Sequence, residues 1–367
     1  MEKDHEEVRH IAEESMVLLK NDENILPLKT SEKVAFIGGF VKKPRFQGGG
    51  SSHINCFKVT NALDSVPSDA QVTYAEVFPD DKDFYDDVQV AEALKTAKEA
   101  DKAVIFAGLP DSFESEGYDR SHMRLPDCQL RLIDQILQVQ PNTVIVLHNA
   151  SPVEMPWLSD VKGLLEAYLG GQAGGAAVAN ILYGKVNPSG KLAETMPLKL
   201  SDNPSYLNFG SGEKVEYREG VFVGYRYYDT KEMEVAYPFG YGLSYTTFAY
   251  SNLEISNENP TEKDTVTVSA DVTNTGDITG KEIVQVCHIE GQVLFFFVIV
   301  TVVRGQDFPA DSFTNGTSIS IRFFAIAIGT DSFTPSRTAV STLSKNASSF
   351  SLVSRYGSAS FLYSLEK

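Results

Sequence analysis

Five short apolar runs, set apart by stretches of helical periodicity, constrain this sequence more than any other feature. Val34–Gly38, Val72–Val77, Ala103–Gly108, Thr143–His148 and Leu164–Leu169 are each five or six residues long. Several are apolar without alternation, the pattern of strands covered on both faces. Helical patterns over 87–100, 128–139 and 173–183 lie among them, and Asp127 stands where it would cap the second. Strands alternating with helices predict an α/β fold over about residues 1–245: a mostly parallel sheet sandwiched by helices. Ahead of the first run, His5 to Asn21 spaces Val8, Ile11, Ala12, Met16, Leu18 and Leu19 as an amphipathic helix, which Asn21-Asp-Glu-Asn24 then breaks.

The texture changes near Tyr250. Leu253–Ile255, Thr265–Val272 and Glu282–Val286 read as short antiparallel strands separated by Asn257-Glu-Asn-Pro and Asn274-Thr-Gly-Asp. Strands at this spacing open a β-sandwich, placed at residues 246–287 and expected to be incomplete. A second break follows Cys287. The 80 residues from His288 to Lys367 hold five acidic and six basic residues, 21 Ser or Thr and ten Phe, while the 287 before them hold 44 acidic and 26 basic, so all of the excess negative charge lies before the tail. This tail, 288–367, reads either as a Ser/Thr-rich sandwich end or as the product of a shifted reading frame.

That acidity argues against nucleic acid and against anionic membrane surfaces as partners. The longest apolar run, Val293–Val303, is too short for a spanning helix. Three distant cysteines, Cys56, Cys128 and Cys287, draw no disulfide framework. No signal peptide is visible at the acidic N-terminus. A soluble, reducing, cytoplasmic setting is the expectation. His5, His10, His122, His148 and His288 are scattered without metal spacing, and neither a metal nor a cofactor is expected.

In an open parallel sheet, ligands bind beyond the carboxyl ends of the strands. Four unusual loops follow four of the strand candidates and should share one edge: 40–55, 109–120, 149–156 and 170–175. The Gly48-Gly-Gly-Ser-Ser52 stretch lacks both Gly-x-Gly-x-x-Gly and Gly-Lys-Ser/Thr spacing, which argues against a nucleotide cradle. It reads either as a loop that brings backbone, Ser51, Ser52, His53 and Asn55 to a polyol, or as flexible surface. The loop Glu114-Ser-Glu-Gly-Tyr-Asp-Arg120 crowds three carboxylates. Repulsion would leave one of them protonated near neutral pH, fit for general acid work. The alternative is a solvated acidic loop pinned by Asp119 and Arg120 ion pairs. The aromatic runs 225–228 and 237–245 read as packing residues, and secondarily as rings that stack on sugars.

These motifs resemble a family. Glu13-Glu-Ser-Met-Val-Leu-Leu-Lys-Asn21, Gln47-Gly-Gly-Gly-Ser-Ser-His53, Gly108–Arg120, Ser151–Trp157, Asn187–Leu192, Val223–Tyr228 and Tyr237–Tyr245 are similar, in order, to the C-terminal half of bacterial β-glucosidases of glycoside hydrolase family 3. The likeness runs from about His5 to Val286. It implies an α/β sandwich followed by a fibronectin type III-like domain. It also implies a retaining mechanism whose Asp nucleophile comes from a (β/α)8 barrel and whose acid/base comes from the α/β sandwich. By motif the acid/base is Glu116, with Glu114 the alternate, and substrate contacts fall on Gln47, Ser51, Ser52, His53, Asp119 and Arg120. The implied substrate is a β-glucoside or related oligosaccharide.

The sequence departs from the family twice. Residue 1 begins about where the linker after the barrel would be, so the barrel is expected from elsewhere, in cis or in trans. After Val286 the likeness stops where the charge also stops, which favours the shifted-frame reading of the tail. The rival from another class is a non-catalytic sugar-binding or interaction module.

Overall fold

The computed structural model describes residues 1–78, 83–210, 212–256 and 266–288, and beyond these the backbone of four strands. The chain divides into two compact units, Met1–Tyr245 and Thr246–Lys367.

The first unit is built on a six-stranded sheet: β1 (Val17–Asn21), β2 (Lys33–Ile37), β3 (Gln71–Ala75), β4 (Lys102–Gly108), β5 (Thr143–His148) and β6 (Gly163–Glu166), in the order β1-β6-β5-β4-β2-β3. β2 to β6 run parallel, and β1 joins β6 antiparallel. Alternate residues feed two cores. Ala35, Ile37, Ala103, Ile105, Ile145 and Leu147 face helices α2 (Asp87–Glu99) and α3 (Asp127–Val139). Val34, Phe36, Val104, Phe106, Val144 and Val146 pack with residues of α1 (Glu2–Ser15) and α4 (Gly174–Leu182). All twelve are fully buried, which explains why these strands carry no polar alternation. A short helix, α5 (Tyr225–Thr230), follows.

Two local expectations fail. The first helix ends at Ser15, and Met16–Asn21 is extended rather than helical. The reason is a period of two inside the apolar run: Val17 and Leu19 enter one core, Met16 and Leu18 the other. Ile11, expected on the helix's apolar face, is 65% exposed. Asp127 does not cap α3; it is the first helical residue. Asp83 serves instead, its carboxylate accepting from the Asp127 N–H at 3.1 Å and the Cys128 N–H at 2.8 Å.

In the second unit, β7 (Phe248–Ile255), β8 (Val266–Asn274) and β9 (Gly280–His288) stand where strands were read. The β8–β9 turn is held by Asn274, whose Oδ1 accepts from Thr246 Oγ1 at 2.7 Å and the Gly276 N–H at 3.1 Å. The 257–260 turn lies outside the described residues. In the tail, β10 (Phe296–Val302) and β12 (Phe350–Tyr356) pair with β9, β11 (Ser318–Ile326) pairs with β8, and β13 (Ala359–Ser364) pairs with β12. Two antiparallel sheets result, β10-β9-β12-β13 and β11-β8-β7.

Candidate active site

The loops after β2, β4, β5 and β6 meet at the carboxyl edge of the sheet, and hydrogen bonds show how. Strand β2 leaves through Gly38, at φ +116°. A Cβ there would stand 2.5 Å from the Phe106 carbonyl of β4, so only glycine lets the chain cross its neighbour at this distance. The loop then delivers Arg45, 7% exposed. Arg45 Nε donates to Asp111 Oδ1 at 3.0 Å, Nη1 to Glu114 Oε2 at 2.5 Å and Nη2 to the Glu114 carbonyl at 2.7 Å. One guanidinium thus ties the β2 loop to the β4 loop. The β6 loop joins through the Gly171 N–H, which donates to the Phe46 carbonyl at 2.9 Å.

Glu114 is saturated by these partners. Oε2 also accepts from the Ala150 N–H at 2.9 Å, and Oε1 accepts from the Ser151 hydroxyl. Arg120 Nη1 lies 3.9 Å from Oε1 and donates to Ser151 Oγ at 2.7 Å. Burial pushes the Glu114 carboxyl upward, but Ser151, Ala150 and Arg45 outweigh it and hold it below the usual range.

Glu116, two residues on, is exposed. Its Oε2 accepts from both the Ser51 N–H at 2.7 Å and Ser51 Oγ at 2.8 Å. No donor to Oε1 is found among the described residues. These two bonds set the carboxylate below its ordinary value. The approach is close: at Gly50, φ +75°, a Cβ would stand 2.4 Å from Glu116 Oε2 and 2.7 Å from its Cβ. The glycine loop therefore lies directly on the acidic loop.

The remaining residues singled out by sequence divide. Gln47 turns its amide onto Ile54, accepting from its N–H at 3.0 Å and donating to its carbonyl at 3.2 Å, which closes the glycine loop. Ser52 Oγ donates to the Gly49 carbonyl at 3.1 Å. His53 and Asp119 are exposed. Arg120 is half-buried beside Ser151. The crowding expected to keep a proton on one loop carboxylate does not do so: Glu114 and Glu116 each have their own donors, and both are held low. The raised carboxyls are elsewhere. Glu166, fully buried at the end of β6, is pushed up to about 8, chiefly by burial. Glu194 is pushed up by burial and by the Glu114 charge.

Sequence reasoning missed Arg45 and Glu166. Arg45 sits in Lys42-Lys-Pro-Arg45, which reads as solvated charge. Glu166 interrupts an apolar strand, and that misplaced carboxylate was the available signal.

The description of the glycosyl hydrolase family 3 C-terminal domain matches residues 16–245. Thermostable β-glucosidase B of Acetivibrio thermocellus is 53% identical over 286 residues, 77% of this chain and 38% of that protein. An exo-α-(1→6)-L-arabinopyranosidase of Bifidobacterium longum is 45% identical over 301 residues, 78% of this chain and 39% of that protein. The crystal structure of a family 3 β-glucosidase from Bifidobacterium adolescentis superposes with a TM-score of 0.78 at 42% identity, covering 88% of this chain and 47% of that one. The chain thus spans about two fifths of the length of these two curated relatives. By the match over 16–245 and by its sheet and flanking helices, the chain belongs to the family of glycosyl hydrolase family 3 C-terminal domains.

Proposed function

We propose that this chain supplies the acid/base half of a retaining glycosidase of β-glucosidase type, with Glu116 as the acid/base. The observation that carries the reading is the presentation of Glu116: an exposed carboxylate aimed through Ser51, with no donor to its second oxygen among the described residues, where four loops converge. Glu114 has no oxygen to spare and serves to hold the loop. A general acid must carry a proton when the glycosidic oxygen leaves. In this chain the Ser51 bonds favour the ionised form. A nucleophilic carboxylate placed beside Glu116 would raise it, as like charges do. The reading therefore calls for a (β/α)8 barrel, supplied in cis or in trans, that brings the nucleophile. Glu116 would protonate the leaving oxygen, then take a proton from the water that attacks the glycosyl-enzyme.

The substrate class is a β-glucoside or related oligosaccharide. The named relatives act on different sugars, so the reading stops at that class. Nucleic acid and membrane surfaces are not partners in it, in line with the net charge of −17. Among the described residues no helix is long and apolar enough to cross a membrane. A reducing, cytoplasmic setting belongs to the same proposal, as does a shifted reading frame for 288–367, which the DNA sequence across codon 287 decides.

The test is twofold. These 367 residues alone should not turn over an aryl β-glucoside, because the covalent step has no attacking group. With a family 3 barrel joined ahead of residue 1, activity should appear. Glu116→Ala should then be rescued by azide, an anion that needs no general base, giving a β-glycosyl azide. Turnover by the isolated chain, or absence of rescue in an active fusion, would refute the assignment.

A further inference from the structure

Ahead of α5, residues 203–224 put large apolar side chains into water. Leu207, Val215, Tyr217 and Val221 are 84, 72, 81 and 67% exposed, and Tyr206, Phe209, Phe222 and Val223 are exposed as well. Single exposed apolar residues need no account, but a cluster of this density marks a surface that another body covers. The described part of the segment forms neither helix nor strand. Local turns shape it: the Asn208 and Phe209 N–H groups donate to the Ser205 carbonyl at 2.9 Å, and the Phe222 N–H to the Glu219 carbonyl at 3.0 Å. Its two halves stand side by side, because Pro204 and Asn208 wall one depression together with Arg218, Phe222 and Tyr227 of α5.

This apolar face lies at the carboxyl edge of the sheet. Pro204, Ser205, Glu219 and Val223 wall a cavity with Arg120 and Ser151, the two residues beside the Glu114 carboxylate. Ile54, Phe57 and Val59 of the loop after β2, and Tyr118 of the loop after β4, are exposed at the same edge. The charges of 203–224 nearly cancel, with three acidic and two basic residues, and Arg218 Nε donates to Glu216 Oε2 at 2.7 Å. Such a face offers little to nucleic acid or to a charged peptide and much to an apolar protein surface. The lengths of the relatives say which surface. The chain spans about two fifths of the curated relatives, and the matched region is the family's C-terminal domain, so most of the remaining length precedes it. A second copy of the chain would set another charge of −17 against the first. It would also occupy the edge where, on the functional reading, the nucleophile must arrive.

We propose that the apolar face of residues 206–223 is the surface on which the preceding domain docks, the (β/α)8 barrel of the functional reading. The barrel is named as partner on that reading; the surface stands on the exposure of its own side chains. Because the contact is apolar, it holds the two domains together without sugar and without the Glu116 carboxylate.

The experiment compares amide hydrogen exchange in the 367-residue chain and in the same chain joined, ahead of residue 1, to the part of the Acetivibrio thermocellus relative that precedes the match. Amides of 206–209 and 215–223 should exchange at least about tenfold more slowly in the joined protein, as residues do when a partner covers them. Unchanged rates there, or slowing no greater than in the sheet, overturn the proposal. Leu207→Ser, Tyr217→Ser and Val221→Ser together should cancel the protection and lower turnover of an aryl β-glucoside at least about tenfold, the loss expected on truncating central interface residues. In the 367-residue chain the same triple variant should leave the unfolding midpoint unchanged, which certifies its fold. Full protection in the joined triple variant overturns the proposal. Sedimentation of the 367-residue chain tests the other occupant: a dimer that the triple variant dissociates assigns the face to a second copy and overturns the proposal. Glu116→Ala in the joined protein should lose turnover and keep the protection. Protection without azide rescue of that variant upholds the docking face and refutes the functional reading. Azide rescue without protection does the reverse.

Discussion

The two ends of the loop after β4 differ in almost every physical respect. At the Glu114 end, a buried guanidinium, a hydroxyl and a backbone N–H from two other loops saturate one carboxylate. At the Glu116 end, a single serine holds one oxygen of a carboxylate that faces water. Tyr118, whose hydroxyl donates to the Asp111 carbonyl at 2.5 Å, closes the loop back on itself just beyond. The difference teaches that a crowd of acidic residues is not one electrostatic unit. Each carboxylate answers to its own donors, so one can be scaffold and its neighbour reagent within a few residues.

The sharpest way to break this comparison is kinetic. In the barrel-joined chain, Glu116→Gln should lower kcat/KM for an alkyl glucoside by about 10²–10⁴-fold, the usual worth of general acid help. The loss should be far smaller for a dinitrophenyl glucoside, whose leaving group needs no proton. Equal losses on both substrates would put the two ends of the loop on the same footing.

Stability should respond the other way round. Glu114→Ala leaves the buried Arg45 guanidinium with the more exposed Asp111 carboxylate as its ion-pair partner and should cost about 1.5–3 kcal/mol, the worth of hydrogen bonds to a charged group. Denaturant unfolding of the 367-residue chain checks this. Glu116→Ala should leave the midpoint nearly unchanged. A mild Glu114→Ala variant would mean that the Arg45 clamp is not what orders the loops.

Buried Glu166 sharpens the contrast, because it is enclosed yet poorly supplied with donors. Among the described residues it accepts from Asn149 Nδ2 at 3.2 Å and the Tyr168 N–H at 3.0 Å. Its folded value, about 8, lies above its ordinary 4.5. Between these two pH values the unfolded chain has already lost the proton that the folded chain keeps. Stability should therefore fall as pH rises through this window, by up to about 1.4 kcal/mol per pH unit from this group. Glu114, held low, works oppositely: its contribution is present above the unfolded value and is lost as pH falls through the folded one. Comparing unfolding free energies across pH, Glu166→Gln should remove the loss between pH 4.5 and 8. An unaltered slope would show that Glu166 ionises freely.

The smallest effect concerns Ser51. Ser51→Ala removes one of the two donors to Glu116 and leaves the backbone N–H. The Glu116 carboxyl should titrate higher than in the parent chain. A carbon-13 titration of the side-chain carboxyl reads this directly, and an unmoved midpoint would deny Ser51 its part.

Much of the scaffold was legible in order. The runs at 34–38, 72–77, 103–108, 143–148 and 164–169 became β2 to β6, and three helical patterns became α2, α3 and α4. Strands that bury both faces must be apolar throughout, and helices that bury one face must repeat at 3.6 residues; both requirements are written locally. The convergence of loops on one edge followed from parallel topology. Met16–Asn21 was misread because its four apolar residues, Met16–Leu19, satisfy both periods, and the open edge of β6 and the bridge from Leu243 select the strand.

The site divides on the same line. Motif and loop position sufficed to single out Glu116 and Ser51, since both stand in segments whose composition sets them apart. Which carboxylate is held and which is presented was decided by tertiary structure alone. The donors that distinguish Glu114 from Glu116 come from residues 45, 51, 150 and 151. A pKa depends on distances of a few ångströms between segments 36 to 69 residues apart, and no sequence period carries such distances.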